Sequence, residues 1–299
     1  MAEVTAQLVK QLRERTGAGM MECKKALDST SGDLEKAIDE LRKRGAASAD
    51  KKASRSALQG SVGTLIAGDA AVILEINCES DFVARTDDFQ ALVANVAAQV
   101  AESNPADVAA LGALPYAGDP SVTVLEAVKQ KIAKLGENMV IARFARLTSS
   151  GSTAFGSYIH AGSQLGVLLE VQAATAAGAA HPEVQELVKD LAMQVAAADP
   201  KFVRREEVAA DVLERERAIA RDRAKNENKP EKIWDRIIDG RIEKFYEEVC
   251  LLEQPFIKEN SVSITEIVKQ KSAKVGEALT VTRFVRFKVG ETAVAGAAE

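Results

Sequence analysis

The side chains best able to do covalent chemistry in this chain are three cysteines and two histidines. They are Cys23, Cys78, Cys250, His160 and His181. A cysteine hydrolase would need Cys78 as nucleophile, His160 as base and a carboxylate to orient the histidine. No separate sign of an oxyanion site accompanies them, and a single Cys after an apolar strand is usually a small core residue. We therefore expect a protein that is not an enzyme.

Sites for nucleotides and metals are also not indicated. Neither Gly-x-Gly-x-x-Gly nor Gly-x-x-x-x-Gly-Lys occurs between a predicted strand and a predicted helix, and metal-ligand spacing is absent. We expect no cofactor and no bound metal. Three cysteines without a close pair argue against a disulfide framework and favour a reducing cytoplasm. The sequence also shows no secretory signal and no apolar run as long as a membrane span.

A different kind of candidate site lies at residues 77–85, Asn-Cys-Glu-Ser-Asp-Phe-Val-Ala-Arg. An apolar run at 71–76 predicts a buried strand before it, and a helix is predicted to begin at Asp87 or Asp88. A loop between a strand and a helix can present side chains such as Phe82 to a partner. Composition alone favours the alternative that Phe82 packs beneath its own helix.

Length and composition limit the class of protein. The 299 residues suffice for about two domains, and 46% hydrophobic residues can fill sizeable cores. A net charge of −5 gives no general attraction for nucleic acid or anionic membranes, and 4% aromatic residues argue against a base-stacking surface. These values indicate a globular protein without DNA or membrane as a partner.

The N-terminal region, residues 1–45, predicts a domain of three helices. Thr5 can cap a first helix that stops at the Thr-Gly-Ala-Gly segment 16–19. A short second helix is predicted at 20–29, and the third is predicted to end at Gly45.

So small a domain buries little apolar surface, and an exposed apolar edge around Gly17, Met20 and Met21 would suit a partner. The alternative places both methionines in the core, and we expect one of the two to be there. Residues 46–58 are small, polar and basic, which predicts a linker.

The body of the chain contains an internal repeat. Six apolar positions of one predicted helix recur 95 residues later with the same spacing. They are Phe89, Leu92, Val93, Val96, Ala97 and Val100, and then Val184, Leu187, Val188, Leu191, Ala192 and Val195. The apolar strand at 72–76 recurs at 167–171 with the same shift. Each copy therefore predicts a pair of strands followed by an amphipathic helix.

A second repeated segment lies further along the chain. The residues 129–137, ending in Gly-Glu, recur at 269–277, and each copy is followed by a predicted strand with the pattern Arg-Phe-x-Arg. The shift is now 140, so about 45 additional residues lie in the second copy. They correspond to the densely charged residues 208–251, which Pro230 interrupts.

The inserted residues predict an antiparallel hairpin of two helices. Its apolar seam is predicted to contain Ile233, Ile237 or Ile238, Ile242, Phe245 and Val249 opposite Val212 and Ile219. Such a hairpin would contact a partner or hold an oligomer together.

Two segments carry a resemblance to a known family. Residues 12–27, Leu-Arg-Glu-Arg-Thr-Gly-Ala-Gly-Met-Met-Glu-Cys-Lys-Lys-Ala-Leu, and residues 77–83 together resemble bacterial translation elongation factor Ts. The resemblance covers essentially the whole chain, including Gly-Ser-Tyr-Ile-His at 156–160, the inserted hairpin and Gln-Pro-Phe at 254–256.

The resemblance implies a guanine-nucleotide exchange factor for elongation factor Tu, the GTPase that carries aminoacyl-tRNA. It implies an N-terminal domain similar to ubiquitin-associated domains, which binds the nucleotide domain of the GTPase. The partner would be bound with GDP and without nucleotide, in a one-to-one pair or in a two-fold assembly of pairs. A non-catalytic coiled-coil adaptor and an RNA-binding protein that uses Lys51, Lys52 and Arg55 are the alternatives.

The resemblance also implies site residues. Ser80, Asp81, Phe82 and Val83 match the family's stretch that dislodges Mg²⁺ from the partner, with Phe82 as a wedge between two of its helices. Ser80 replaces the more familiar Thr and keeps its hydroxyl.

The family's other contacts map onto the N-terminal region and onto the second half of the core. Gly19, Met20 and Met21 match the N-terminal contact region, and His160 matches a position that faces the partner's third domain. Because the tail from Gly290 consists of small residues, we do not expect it to supply the family's further C-terminal contact helix.

The fold class expected from residues and resemblance together is α+β. A three-helix domain similar to ubiquitin-associated domains precedes a duplicated core of antiparallel strands and helices, which carries the inserted coiled-coil hairpin. The expected domains are 1–45 (three helices), 46–58 (linker), 59–150 (first half of the core), 151–207 with 252–290 (second half), 208–251 (hairpin) and 291–299 (tail).

Overall fold

The structure, a computed structural model, describes residues 4–227 and 230–292. Residues 228–229, within the predicted break of the hairpin, and residues 293–299 of the expected tail lie outside the described residues. Helices and strands are both abundant, which confirms the α+β class. Within 4–227 and 230–292, no helix has the length and apolar character needed to cross a membrane.

The helices and strands follow one another in the order that the repeat predicts. The helices are α1 (Ala6–Thr16), α2 (Met20–Ser29), α3 (Leu34–Lys52), α4 (Asp81–Ala84), α5 (Asp87–Ser103), α6 (Val108–Ala113), α7 (Val124–Leu135), α8 (Ala176–Ala179), α9 (Pro182–Ala198), α10 (Ala210–Asn226), α11 (Trp234–Val249) and α12 (Ile264–Val275). The strands are β1 (Gln59–Ala67), β2 (Ala70–Cys78), β3 (Pro115–Tyr116), β4 (Asp119–Thr123), β5 (Met139–Thr148), β6 (Thr153–Ile159), β7 (Leu165–Gln172), β8 (Pro255–Phe256), β9 (Glu259–Ser263) and β10 (Thr280–Lys288).

The described residues form two compact units. The first contains residues 4–147, 159–165 and 287–292, and the second contains residues 148–158 and 166–286. The turn that carries His160 therefore belongs to the first unit, although its flanking strands belong largely to the second copy of the repeat.

Three helices begin the first unit, as predicted. The Thr5 side chain accepts a hydrogen bond from the amide of Leu8 at 3.2 Å and caps α1, which ends at Gly17 with a positive φ of 68°. The helices enclose a small core. Its buried members are Val9, Leu12, Cys23, Ala26, Leu27 and Ala37.

The expectation that one of the two methionines lies in this core is wrong. Met20 is 50% exposed and Met21 is 66% exposed. The buried face of α2 begins at Cys23 and continues through Ala26 and Leu27 at helical spacing. The two methionines precede that face in the first turn, so they form an exposed apolar surface.

The expectation that α3 ends at Gly45 is also wrong. The helix continues to Lys52, so the first part of the expected linker is helical. Gly45 packs against Ala133 of α7, and Asp50 accepts a hydrogen bond from Lys129 of the same helix at 2.7 Å. These contacts supply the stability that a glycine removes from an isolated helix.

The first copy of the repeat is a three-stranded sheet in the order β1-β2-β5 with α5 packed against it. Strands β1 and β2 are antiparallel and pair from Gln59 with Cys78 to Ala67 with Ala70. Every residue of β2 is buried, and the six predicted apolar positions of α5 are buried too. The repeat thus predicted this core correctly.

The second copy repeats this arrangement in the second unit. Its sheet has the order β10-β7-β6, and the six equivalent positions of α9 are buried. Polar contacts recur as well: the Gln99 amide donates to the Pro115 carbonyl at 2.6 Å, and the Gln194 amide donates to the Pro255 carbonyl at 3.2 Å. The duplication therefore includes side-chain hydrogen bonds as well as apolar residues.

The charged insert forms two helices, α10 and α11, that pack along a narrow seam. The buried side chains at this seam include Ala220, Ile238 and Ile242, and Trp234 and Tyr246 pack against them. Predicted seam members Ile219 and Ile233 are exposed, so that part of the prediction is wrong. A small side chain such as that of Ala220 lets two charged helices approach closely. The predicted seam contained only large apolar residues, so this alanine was missed.

We predict that two glycines of the second unit respond to alanine in opposite directions. In β6, a Cβ at Gly156 would meet the Val188 backbone carbonyl of α9, so Gly156→Ala should destabilise the protein by about 1–3 kcal/mol. In α11, Gly240 has no neighbour within 4 Å of an added Cβ, so Gly240→Ala should stabilise by about 0.5–1 kcal/mol. Urea unfolding of both variants tests this, and an unchanged midpoint for Gly156→Ala would contradict the close packing.

Candidate functional site

The candidate stretch lies where the most deeply buried strand of the first unit reaches the surface. Strand β2 ends at Cys78, and Ser80 then caps the single helical turn α4 by accepting a hydrogen bond from the Val83 amide at 3.4 Å. Thr86 caps α5 in the same way, accepting from the Phe89 amide at 3.3 Å. Two caps six residues apart therefore fix the turn between strand and helix.

Phe82 is 81% exposed at the tip of this turn. Ala84 is buried and Val83 is half-buried, so these two side chains make the contact between α4 and the core. Phe89, fully buried at the start of α5, occupies the core position that composition suggested for Phe82. The interpretation that Phe82 packs beneath its own helix is therefore wrong.

Asp81 lies beside Phe82 and forms an exposed ion pair within α4 and its C-cap. Its carboxylate accepts from Arg85 at 2.9 Å, and the side chains are 42% and 76% exposed. Exposed pairs of this kind contribute about 1 kcal/mol or less. The Asp81 carboxylate can therefore exchange Arg85 for another hydrogen-bond donor with little loss.

A carboxylate from a distant part of the chain holds the start of the turn. Glu137, just after α7, accepts from the Ser80 amide at 3.0 Å and from the Ser80 hydroxyl at 2.6 Å. In return, Glu79 accepts from the Asn138 amide at 2.7 Å. The Asn138 side chain also donates to the Arg55 carbonyl at 2.8 Å, which ties the segment after α3 to the same point.

The second copy of the repeat has an equivalent glutamate that holds the start of the turn, but it has no counterparts of the Asp81 and Phe82 side chains. Glu277 accepts from the Thr175 amide at 3.0 Å and from the Thr175 hydroxyl at 2.6 Å, and the turn α8 follows. The residues of α8 are Ala-Ala-Gly-Ala, so Ala177 stands in the place of Phe82. The scaffold is thus duplicated, but an exposed acid and aromatic pair is present in the first copy alone.

The turn that carries His160 contributes to the surroundings of α4. The Ser163 amide donates to the His160 carbonyl at 2.9 Å, and the Ser163 carbonyl accepts from the Val62 amide of β1 at 2.6 Å. Residues 161–164 line a surface groove together with Asp81 and Arg85.

The remaining predicted site residues, Gly19, Met20 and Met21, lie at the start of α2. Gly19 is the N-cap residue of α2 and has no side chain that could cap the helix, while its carbonyl accepts from the Cys23 amide at 2.9 Å. Gly19 and the exposed methionines form a separate candidate surface of the first unit.

Cys78 has no features of a nucleophile. It is fully buried, and its thiol donates to the Ser80 carbonyl at 3.1 Å. Burial, together with the nearby Glu137 carboxylate, raises the pKa of this thiol to about 12, so it stays protonated at neutral pH. In residues 4–227 and 230–292, no cluster of three His, Cys, Asp or Glu side chains could hold a metal ion.

Neither Glu137 nor Glu277 was predicted as a site residue from the sequence. Both stand directly after the repeated glycines that end α7 and α12. The repeated Gly-Glu pair was a usable signal, but their partners Ser80 and Thr175 lie 57 and 102 residues away in sequence.

Comparison with known proteins identifies the family. The family model described as Elongation factor TS matches residues 79–291, which include the candidate turn. Elongation factor Ts of Nostoc sp. is 48% identical over 295 residues, covering 97% of this chain and 94% of that protein. Elongation factor Ts of Trichlorobacter lovleyi is 44% identical, and that of Clostridium novyi is 46% identical, each covering 96% of this chain and 93% of the relative. The chain belongs to the elongation factor Ts family.

Proposed function

We propose that this protein is a guanine-nucleotide exchange factor in translation elongation in the cytoplasm. It binds elongation factor Tu with GDP, displaces Mg²⁺ and promotes GDP release, so that GTP can bind. Family membership supports this role, and the observation that carries the mechanism is the exposed Phe82 on a firmly capped turn.

The thermodynamics of exchange require a partner that prefers one state of the GTPase. GDP is held by contacts to its phosphates and by the Mg²⁺ ion that neutralises them. A protein accelerates release only by binding better to the state in which those contacts are broken. Linkage is reciprocal, so GDP must weaken the binding of the exchange factor by the same factor.

Phe82 and Asp81 are suited to create this preference. An exposed aromatic ring that enters a space between two helices of the GTPase removes its apolar area from water only in the opened state. The Asp81 carboxylate can accept hydrogen bonds from groups of elongation factor Tu that face the Mg²⁺ site while GDP is bound. Ser80 and Val83 complete the turn, one as its cap and the other as its contact with the core.

Further contacts supply affinity. We propose that the three N-terminal helices act like a ubiquitin-associated domain and dock through Gly19, Met20 and Met21 on the nucleotide domain of elongation factor Tu. The turn of His160 is proposed to face the third domain of the partner. The helices α10 and α11 are proposed to form a coiled-coil hairpin that adds contact area or supports a two-fold assembly of complexes.

No covalent bond changes in this reaction, so the proposed role needs neither a nucleophile nor a cofactor of its own. The partner is a protein, and neither DNA nor a membrane takes part. The RNA-binding alternative has less support, because Arg55 pairs with Glu79 at 3.4 Å and Lys52 donates to Ser48 at 3.1 Å.

The exposed ring of Phe82 should be needed for fast GDP release. Phe82→Ala should slow stimulated GDP release about thirtyfold at saturating protein, because truncating a central aromatic contact costs ~2 kcal/mol or more. Release of a fluorescent GDP from elongation factor Tu in a stopped-flow instrument measures this rate. Leu125→Ala, at another exposed apolar residue of the first unit, is the control and should behave as the wild type. Equal rates for Phe82→Ala and the wild type would refute the wedge.

Asp81 should matter less than Phe82. Asp81→Ala is expected to slow GDP release by roughly fivefold or less, as exposed charge interactions contribute about 1 kcal/mol. Arg85→Ala removes the partner of Asp81 within the turn and should leave the rate unchanged. A loss for Asp81→Ala as large as that for Phe82→Ala would contradict this ranking and show that the carboxylate contributes as much as the ring.

The methionines should affect affinity but not the maximal rate. Replacing Met20 and Met21 together by Ser should raise the half-saturating concentration about tenfold or more, because burying the exposed half or so of each Met side chain contributes roughly 1 kcal/mol. The rate at saturation should not change, since the wedge is intact. Leu58→Ser, at an exposed residue outside the three helices, is the control. An unchanged half-saturating concentration would exclude this docking surface.

A further inference from the structure

We infer that Glu137 is a positioning residue for exchange: it holds the turn of Phe82 in the orientation that enters the partner. The inference rests on the proposed function, and it adds a residue that does not itself contact elongation factor Tu. Its basis is the pair of hydrogen bonds that Glu137 accepts from Ser80, together with the way Glu137 itself is held.

The hydroxyl of Ser80 links Glu137 to the helical turn. A hydroxyl has one hydrogen and two lone pairs. Its hydrogen is directed to Glu137 at 2.6 Å, which leaves the lone pairs for the Val83 amide at 3.4 Å. The second carboxylate oxygen of Glu137 accepts from the Ser80 amide at 3.0 Å. Glu137 thus determines the direction of the cap and, through it, the start of α4.

Glu137 directly follows a helix that is itself anchored. It follows Gly136, which ends α7 with a φ of 83°. Lys131 and Lys134, in the last turns of α7, each approach the Asp88 carboxylate at the start of α5 to 2.7 Å. These lysines hold the pKa of Asp88 below its usual value. The helix that precedes Glu137 is therefore fixed to α5, the helix that follows the Phe82 turn.

A turn as short as α4 needs such external support. Four residues are far too few for a helix to be stable by itself, since forming the first turn is unfavourable. An exposed ring on a mobile turn would have to be ordered at the moment of binding, and the free energy of ordering would be subtracted from the interaction. A carboxylate that orders the turn in advance therefore favours insertion.

The second copy of the repeat provides a matched comparison within the same chain. Glu277 accepts from Thr175 at the same two distances, 3.0 and 2.6 Å, and is half-buried like Glu137. Because the following turn carries Ala176 and Ala177, Glu277 has no exposed ring to position. Removal of either glutamate deletes the same two bonds, but only the loss of Glu137 should affect exchange.

The first experiment measures stimulated GDP release from elongation factor Tu over a range of protein concentrations. Glu137→Ala should lower the rate at saturation about fivefold to tenfold, because two hydrogen bonds that order the turn are lost. Its half-saturating concentration should change less than twofold, since the docking surfaces are intact. Glu137→Gln keeps one acceptor oxygen and should give an intermediate rate, whereas Glu277→Ala should match the wild type.

The second experiment follows the turn without the partner. Trp234 is the single tryptophan of the chain, so Trp234→Phe combined with Phe82→Trp gives one fluorescent reporter at the tip. Adding Glu137→Ala should lower the fluorescence anisotropy of this reporter, and adding Glu277→Ala should leave it unchanged. Equal melting temperatures for the two glutamate variants would show that a difference in overall stability is not the cause.

Failure of the inference and failure of the proposed function give different results. If Phe82→Ala slows exchange and Glu137→Ala does not, the function stands and the positioning role is overturned. Equal losses for Glu137→Ala and Glu277→Ala would also overturn it, because the effect would then be structural. If the wild type does not accelerate GDP release, the proposed function fails, and the anisotropy alone decides whether Glu137 orders the turn. If Glu137→Ala does not fold, Glu137→Gln replaces it in both the GDP-release and the anisotropy measurements.

Discussion

A buried carboxylate in the middle of a buried strand constrains the first unit. Glu75 is fully buried in β2, where an unpaired charge would be strongly destabilising. Its oxygens accept from Arg143 of β5 at 2.8 Å and from the Gly290 amide at 2.8 Å. The ion pair between Glu75 and Arg143 therefore holds β5 beside β2. The candidate turn begins where β2 ends, at Cys78.

The second unit contains an equivalent buried ion pair, but its turn does not carry an aromatic side chain. Glu170 of β7 accepts from Arg283 of β10 at 2.9 Å, at positions equivalent to Glu75 and Arg143. Both copies continue into a capped turn held by a glutamate. Only one copy has a large apolar side chain at the tip, so the rigid base is a property of the duplicated fold, and Phe82 is what distinguishes the first copy.

Sequence patterns predicted the features that depend on neighbours in the chain and missed those that depend on distant ones. The buried face of α5, its copy in α9 and the cap at Thr5 follow from local spacing. The continuation of α3 past Gly45 could not be predicted, because packing against α7 supplies it. Glu137 was missed because the repeated Gly-Glu pair does not indicate its hydrogen-bond partner Ser80, which lies 57 residues away in sequence.

The exposed position of Phe82 does not contribute to the stability of the fold, but it leaves the side chain available for function. Leaving a Phe side chain in water forgoes about 1.5–3 kcal/mol relative to burying it. The core gains nothing from Phe82, because Val83, Ala84 and Phe89 already make the contacts beneath the turn. The same apolar area remains available to a partner, but only if the ring is held outward when the two proteins meet. A capped turn braced by Glu137 meets that condition, whereas a flexible loop of the same composition could fold the ring back onto its own surface.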